Sequence, residues 1–285
     1  MCLNIKNNTE IQYIIMTSFD QFVGLSGLPR SGSTLLSAIL CQNPKIHAEG
    51  NSALCQIMWD TLQSCKKCLR EQLTANGRQG SIQDILSGLP HSYYKHNSTK
   101  EKIVVDKCRS WTIDSNLDML KSYVDRNVKI IVLERPIIEV VSSFVRLFKD
   151  NNVHVPEKEI NLLTPRTDPI MRSIMGINYA KKNNQKNNFL FISYDELVNN
   201  TEITIEKIYE FCGWEPFKHN FDNVKVKYPE NDQVYGMRGQ HKIRKKVERR
   251  KYDAGLRKET IEKCKIIDNL MHYKSDFYKE LGVEQ

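Results

Sequence analysis

A chain of 285 residues with 42 Lys and Arg against 34 Asp and Glu has a formal net charge of +8 and a sequence pI near 8.9. Its 40% hydrophobic and 27% charged residues are the make-up of a globular protein, and no stretch approaches the roughly 20 consecutive apolar residues of a membrane-spanning helix. The positive balance favours an anionic partner, such as a nucleotide, a nucleic acid or a membrane surface, without choosing among them.

The opening, MCLNIKNNTEIQYIIM, lacks a basic leader followed by an apolar run and a cleavage site, so the expectation is a cytoplasmic or otherwise soluble protein. QFVGLS at 21–26 predicts a strand, and a helix follows over Thr34–Leu40 with Ser31 or Ser33 as its cap. Apolar positions from Ala53 to Leu69, three or four apart, predict a helical stretch within 46–75. Gly77, Gly80, Gly88 and Pro90 predict loops and short pieces after it. IVVD at 103–106 reads as a short buried strand and Ile113–Val124 as a helix. VKIIVLE at 128–134 has the continuous apolar character of a central parallel strand, and Pro136 sits early in the helix that continues IIEVVSSFVRLF. The three prolines of 149–169 predict a surface lid or loop. A helix near 170–182, a strand and turn in NFLFISYDEL at 188–197 and a helix over Thr201–Phe211 complete the regular part. A basic run, RGQHKIRKKVERRK at 238–251, precedes a last helix around 256–281.

The recurring strand, loop and helix predict a single α/β domain over 1–285, a P-loop-like three-layer fold with a central parallel sheet flanked by helices. Of the eight cysteines, Cys41, Cys108 and Cys212 lie beside apolar segments and read as reduced. Cys65-Lys66-Lys67-Cys68 has neither a second pair nor a nearby His, so no metal site is expected.

Gly27-Leu28-Pro29-Arg30-Ser31-Gly32-Ser33-Thr34 matches the phosphate loop GxxxxGK[ST] except at the Lys position, which holds Ser33. Such loops aim backbone N–H groups at phosphate oxygens, and Gly27 and Gly32 permit the tight path. Ser33 and Thr34 add hydroxyls, while Arg30 supplies charge from another place in the loop. This suits an anionic nucleotide whose transferred group is not a γ-phosphate.

LPRSGSTLL resembles the 5′-phosphosulfate loop of sulfotransferases, in motif style closest to the protein-tyrosine and carbohydrate branch. These enzymes use 3′-phosphoadenosine 5′-phosphosulfate (PAPS), and no metal is required by the scheme. ERPIIEVVSSF, with Arg135 and Ser143 eight residues apart, is similar to the family's strand–Arg–helix–Ser pattern for the 3′-phosphate. The resemblance thus implies that Arg30, Ser31, Gly32, Ser33 and Thr34 hold one end of the donor and Arg135 and Ser143 the other. Lys107 in VVDKCRSW resembles the Lys of the protein-tyrosine branch's Asn-Lys-Asp-Pro, which assists transfer. Here Asp106 stands for the Asn and Cys108-Arg109 for the Asp-Pro. SYDEL at 193–197 resembles Tyr-Glu-Asp-Leu with its acids reordered and reads as structural. The late basic segment implies nucleotide contacts from Arg244 and Lys245, or else a solvated helix face.

Arg30 and Lys107 are the electrostatic candidates for catalysis, and Glu49 is the candidate base. Counting from Arg30 puts Asn51 at the family's Glu position and Glu49 two residues earlier, so His47, His91 and Asp106 stay open as alternatives. The resemblance covers roughly 21–215. It implies a hydroxyl-bearing acceptor, such as a carbohydrate, a peptide tyrosine or a small alcohol, chosen by loops near 76–98 and 149–170. The rival readings are an atypical P-loop kinase, against which Ser33 and the Arg135/Ser143 pair argue, and a non-catalytic nucleotide- or nucleic-acid-binding protein. No regular recognition motif or aromatic platform supports nucleic acid, and no membrane partner is expected.

Overall fold

A computed structural model describes residues 19–95, 100–155, 159, 161–163, 169–184, 187–249 and 255–272. The opening segment, parts of the 149–169 loop, the last residues of the basic run and the end of the final helix lie outside them. In chain order the regular elements are β1 (Gln21–Gly27), α1 (Ser33–Leu40), β2 (Ile46–Asn51), α2 (Leu54–Gln63), α3 (Arg70–Ala75), α4 (Ser81–Tyr93), β3 (Ile103–Lys107) and α5 (Asp114–Tyr123). They continue with β4 (Lys129–Glu134), α6 (Ile137–Asp150), α7 (Pro169–Lys182), β5 (Phe189–Ser193), α8 (Tyr194–Asn199), α9 (Thr201–Cys212) and α10 (Lys258–His272).

The five strands form one parallel sheet in the order β2-β3-β1-β4-β5. Successive side chains of a strand point to opposite faces, so an apolar run feeds two cores. Phe22, Val104, Ile130 and Val132 enter one cluster, under α2, α4, α5, α6, α7 and α10. Val23, Leu25, Val105, Ile131 and Leu133 enter the other, under α1 and α9. The result is helix, sheet and helix in three layers around a parallel sheet. Because β1 is central, with β3 on one side and β4 on the other, the chain leaves its carboxyl edge in opposite directions. Parallel sheets bind ligands at such a reversal.

Three local expectations are corrected. Residues 46–51 form an edge strand rather than the start of a helix. Ile46, His47 and Ala48 pair with Ile103, Val104 and Val105, and the register then shifts before Asn51 meets Lys107. Sheet pairing prevails there because the helical spacing of apolar residues starts only later, in α2. Gly88 and Pro90 do not break the chain into short pieces: α4 runs through both, and Leu86 and Pro90 are buried by its packing. Finally, α1 is capped by Gly32 in the left-handed region, with no side-chain cap. Ser31 instead turns its hydroxyl back onto the Leu28 carbonyl, at 2.6 Å.

Cys41, Cys55, Cys65, Cys108, Cys212 and Cys264 are free thiols. Among the described residues no cluster of His, Cys, Asp and Glu is arranged to hold a metal, and no helix is long and apolar enough to cross a membrane.

Candidate active site

Four strand ends converge on one cavity of about 370 Å³. β1 delivers the phosphate loop, β3 delivers Lys107 and Arg109, β4 delivers Arg135, and β5 delivers Tyr194. The carboxyl-terminal segment closes the cavity with Tyr235, Met237 and residues 240–244.

The loop's shape follows from two glycines. Gly27 has φ +132°, and a Cβ there would sit 2.2 Å from the Leu133 carbonyl oxygen. Only glycine lets β1 run this close to β4, where the Leu28 amide donates to that same oxygen at 3.0 Å. Gly32, at φ +95°, faces the Tyr194 ring, which would lie 3.1 Å from a Cβ. Between them Arg30 itself takes φ +61°. A non-glycine residue in that region is strained, and the strained turn is held by Arg135, whose Nη1 donates to the Arg30 carbonyl at 2.8 Å.

Arg135 is 5% exposed. Its Nε and Nη2 reach Glu139 Oε2 at 3.1 and 3.0 Å, one helical turn on, and its guanidinium lies 4.0 Å from the centre of the Tyr194 ring. Glu139 is shared with Arg249, which also reaches Asp195. Ser143 lies further along α6, buried, and its Oγ accepts from Arg30 Nε at 3.0 Å. Arg30 also donates to the Gln240 carbonyl. The loop cation therefore touches the α6 hydroxyl and the carboxyl-terminal segment at once.

Lys107 is buried and lies 3.7 Å from Glu230 Oε1. Burial pushes its ammonium below the usual lysine range, against the opposing pull of Glu230. Beside it, Asp106 is fully buried and structural: the Tyr94 hydroxyl and the Trp111 indole each donate to it at 2.7 Å. Burial nevertheless holds its carboxyl above the ordinary aspartate range. Ser193 caps α8, accepting from the Glu196 amide while Glu196 reaches back to Ser193. That fixes the strand end from which Tyr194 meets Arg135.

Of the residues singled out in the sequence, Arg30, Gly32, Ser33, Thr34, Lys107, Arg135, Ser143 and Arg244 line this cavity. Ser31 is buried beneath it. Lys245 and Glu49 line an adjoining cavity instead. Glu49 pairs with His47 at 3.3 Å, and His47 is buried against Glu101. His91 stacks on Phe19 at the amino end of the sheet, beside a different cavity. The basic run is not a helix over 238–249 but an extended strap with turns. Arg109, Lys246, Glu139 and Glu230 were not legible as site residues; only the general basicity of 238–251 pointed toward Lys246.

Seven cationic side chains among the described residues line the cavity, namely Arg30, Lys107, Arg109, Arg135, Lys242, Arg244 and Lys246, against one acid, Glu248. Glu248 is paired with Arg244. The arrangement is suited to a ligand with more than one anionic group, because amides and cations converge from separate elements.

A profile described as the Sulfotransferase family matches residues 23–219. The chain belongs to the sulfotransferase family. Among solved structures, the sulfotransferase domain of the Synechococcus PCC 7002 olefin synthase is 19% identical, with a TM-score of 0.53 over 88% of this chain and 95% of that one. A sulfotransferase domain from the curacin biosynthetic pathway is 22% identical, with a TM-score of 0.45 over 70% of this chain and 75% of that one. Retinol dehydratase in complex with androsterone and inactive cofactor PAP is 16% identical, with a TM-score of 0.49 over 90% and 81%. At such identities the first of these likenesses is one of fold. No curated protein matches the sequence. None of these relatives singles out the protein-tyrosine or carbohydrate branch that the motif style resembles.

Proposed function

We propose that this sulfotransferase moves the sulfuryl group of PAPS to a hydroxyl acceptor and releases adenosine 3′,5′-bisphosphate (PAP). The observation that carries the reading is that the phosphate loop and the Arg135/Ser143 pair line one cavity and touch each other through Arg30. A nucleotide anionic at both ends can be gripped there at once. The donor fits the residues present. Glycine at 27 and 32 permits the loop's tight path against Leu133 and Tyr194, and the start of α1, at the cavity, presents the end of the helix dipole that favours an anion.

In this scheme the amides of Gly32, Ser33 and Thr34 hold the 5′-phosphosulfate, and the fork of Arg135 with the Ser143 hydroxyl holds the 3′-phosphate. Arg30 and Lys107 stabilise charge on the sulfuryl oxygens and on the departing phosphate. The strap over 235–246 covers the nucleotide. Ser33 in place of the loop lysine removes the cation that would pair with the β- and γ-phosphates of a nucleoside triphosphate.

Calorimetry with PAP, adenosine 5′-phosphate and magnesium-ATP tests the reading. Tight binding of PAP that is lost with the 3′-phosphate, and needs no magnesium, is expected. Preference for magnesium-ATP contradicts it, as does salt-sensitive binding to nucleic acids with no response to PAP.

A further inference from the structure

We infer that His241, gripped by Asp232, is the base that takes the proton from the acceptor hydroxyl. The inference rests on the sulfuryl-transfer reading and names a residue for a step which that reading leaves open. In the reaction a lone pair of the acceptor oxygen forms the new O–S bond. The electron pair of the broken S–O bond stays on the phosphate oxygen of the leaving nucleotide. The hydroxyl proton must go to a base.

None of the four groups offered by the sequence lines the cavity that holds Arg30, Lys107 and Arg135. Glu49 faces the adjoining cavity, His47 is buried against Glu101, Asp106 is sealed under Tyr94 and Trp111, and His91 is at the other end of the sheet. Among the described residues, the acids and imidazoles that do line it are Glu248 and His241. Glu248 is turned to Arg244.

His241 is held like a group that must keep one orientation. Asp232 Oδ1 lies 2.6 Å from its Nδ1, and Asp232 Oδ2 accepts from its backbone amide at 3.2 Å. A carboxylate can only accept, so Nδ1, at the shorter distance, carries a hydrogen, and in the neutral ring Nε2 then holds the lone pair. Nε2 lies 3.4 Å from Glu230 Oε1, the same oxygen that lies 3.7 Å from Lys107 Nζ. Tyr235 packs against the imidazole edge-on at 5.6 Å and donates to Glu230 Oε2. From the loop, Arg30 reaches the carbonyl of the neighbouring Gln240.

The charged and titratable groups around the ring are thus Asp232, Glu230 and Tyr235, with Lys107 beyond Glu230 and Arg30 on the loop side. Two carboxylates stabilise the imidazolium that forms when the proton arrives. Residue 50 is glycine, and a Cβ there would be 1.9 Å from Glu230 Cδ, so any side chain at 50 would displace the carboxylate from this position. The register shift in β2 and the strap thus meet at this pair.

His241→Asn keeps an amide donor for Asp232 but has no basic atom. Turnover is read as PAP released from PAPS with water as acceptor, so no acceptor need be known. The expected result is a fall of about 100-fold or more in kcat, with PAP affinity by calorimetry within about threefold of wild type. Asp232→Asn leaves the imidazole in place but weakens the grip that orients it, and is expected to lower kcat by a smaller factor than His241→Asn, again with PAP affinity little changed. Turnover of His241→Asn within about threefold of wild type overturns the assignment, as does loss of PAP binding in parallel with activity. A wild type that binds no PAP, or releases none from PAPS, overturns the sulfuryl-transfer reading itself, and the role of His241 with it.

Discussion

Replacing Arg135 with Ala separates the two jobs this side chain has in the structure. One is internal: Nη1 holds the carbonyl of the strained Arg30, and the guanidinium is paired with Glu139 and stacked on Tyr194. The other is the grip on a 3′-phosphate. A hydrogen bond to a charged group contributes about 1.5–3 kcal/mol, and part of a lost two-pronged grip is taken up by Ser143 and Arg30. The net loss for PAP is then about 2–4 kcal/mol, or roughly 30- to 1000-fold in Kd. Adenosine 5′-phosphate has no 3′-phosphate and senses only the loosened loop. Calorimetry with both ligands on both proteins therefore reads the 3′ term as the change in their affinity ratio, since the loop term cancels. The ratio is expected to collapse by that factor. If both ligands weaken equally, Arg135 is only a buttress for the loop; if neither weakens, the cavity is not where the nucleotide binds. Arg135→Lys retains charge without the fork and is expected to fall between the two.

Three further outcomes follow from the geometry. Gly27→Ala places a methyl group 2.2 Å from the Leu133 oxygen at φ +132°. Backbone strain of about 1–3 kcal/mol comes before any cost of parting β1 from β4, so thermal unfolding should move down by several degrees at least, and an unchanged Tm would contradict the close approach. Asp106→Ala leaves the Tyr94 hydroxyl and the Trp111 indole without their acceptor, a loss of about 2–6 kcal/mol for two buried donors that denaturant titration will register. For Lys107, burial lowers the pKa, so the folded protein releases this proton at a lower pH than the unfolded chain does. Activity that needs the ammonium should fall as pH rises through a value below the usual lysine range. Lys107→Arg, which stays charged, should carry that alkaline limb upward, and an identical limb in both proteins would remove Lys107 from the chemistry.

The core strands were legible because a parallel strand buried on both faces must be apolar along its length, as IIVL in β4 is. The loop was legible because its path depends on glycine at two fixed positions. Arg135 and Ser143 were found through their spacing along one helix, a local property. Edge strand β2 was not, since its pairing with β3 depends on residues more than 50 positions away and its own sequence, IHAEGN, has little strand character. Distance in sequence likewise hid Glu230, which meets Gly50 and Lys107 from far along the chain, whereas the grip of Asp232 on His241 spans nine positions of a strap without helical or strand periodicity to reveal it. Nothing near residue 50 announces that a carboxylate from 230 will press against its glycine, and nothing in the basic run says which of its cations turn inward. Ser31 misled for a different reason: a serine before a helix can cap it, yet here the hydroxyl closes the loop onto Leu28 and leaves the cap to Gly32.

The most direct measurement is a crystal structure of the protein with PAP. The account predicts the 5′-phosphate against the amides of residues 32–34, the 3′-phosphate between Arg135 and Ser143, and Lys107 and His241 facing the open position beyond the 5′-phosphate. PAP bound in another cavity, or bound here with its 3′-phosphate away from Arg135 and Ser143, would contradict it.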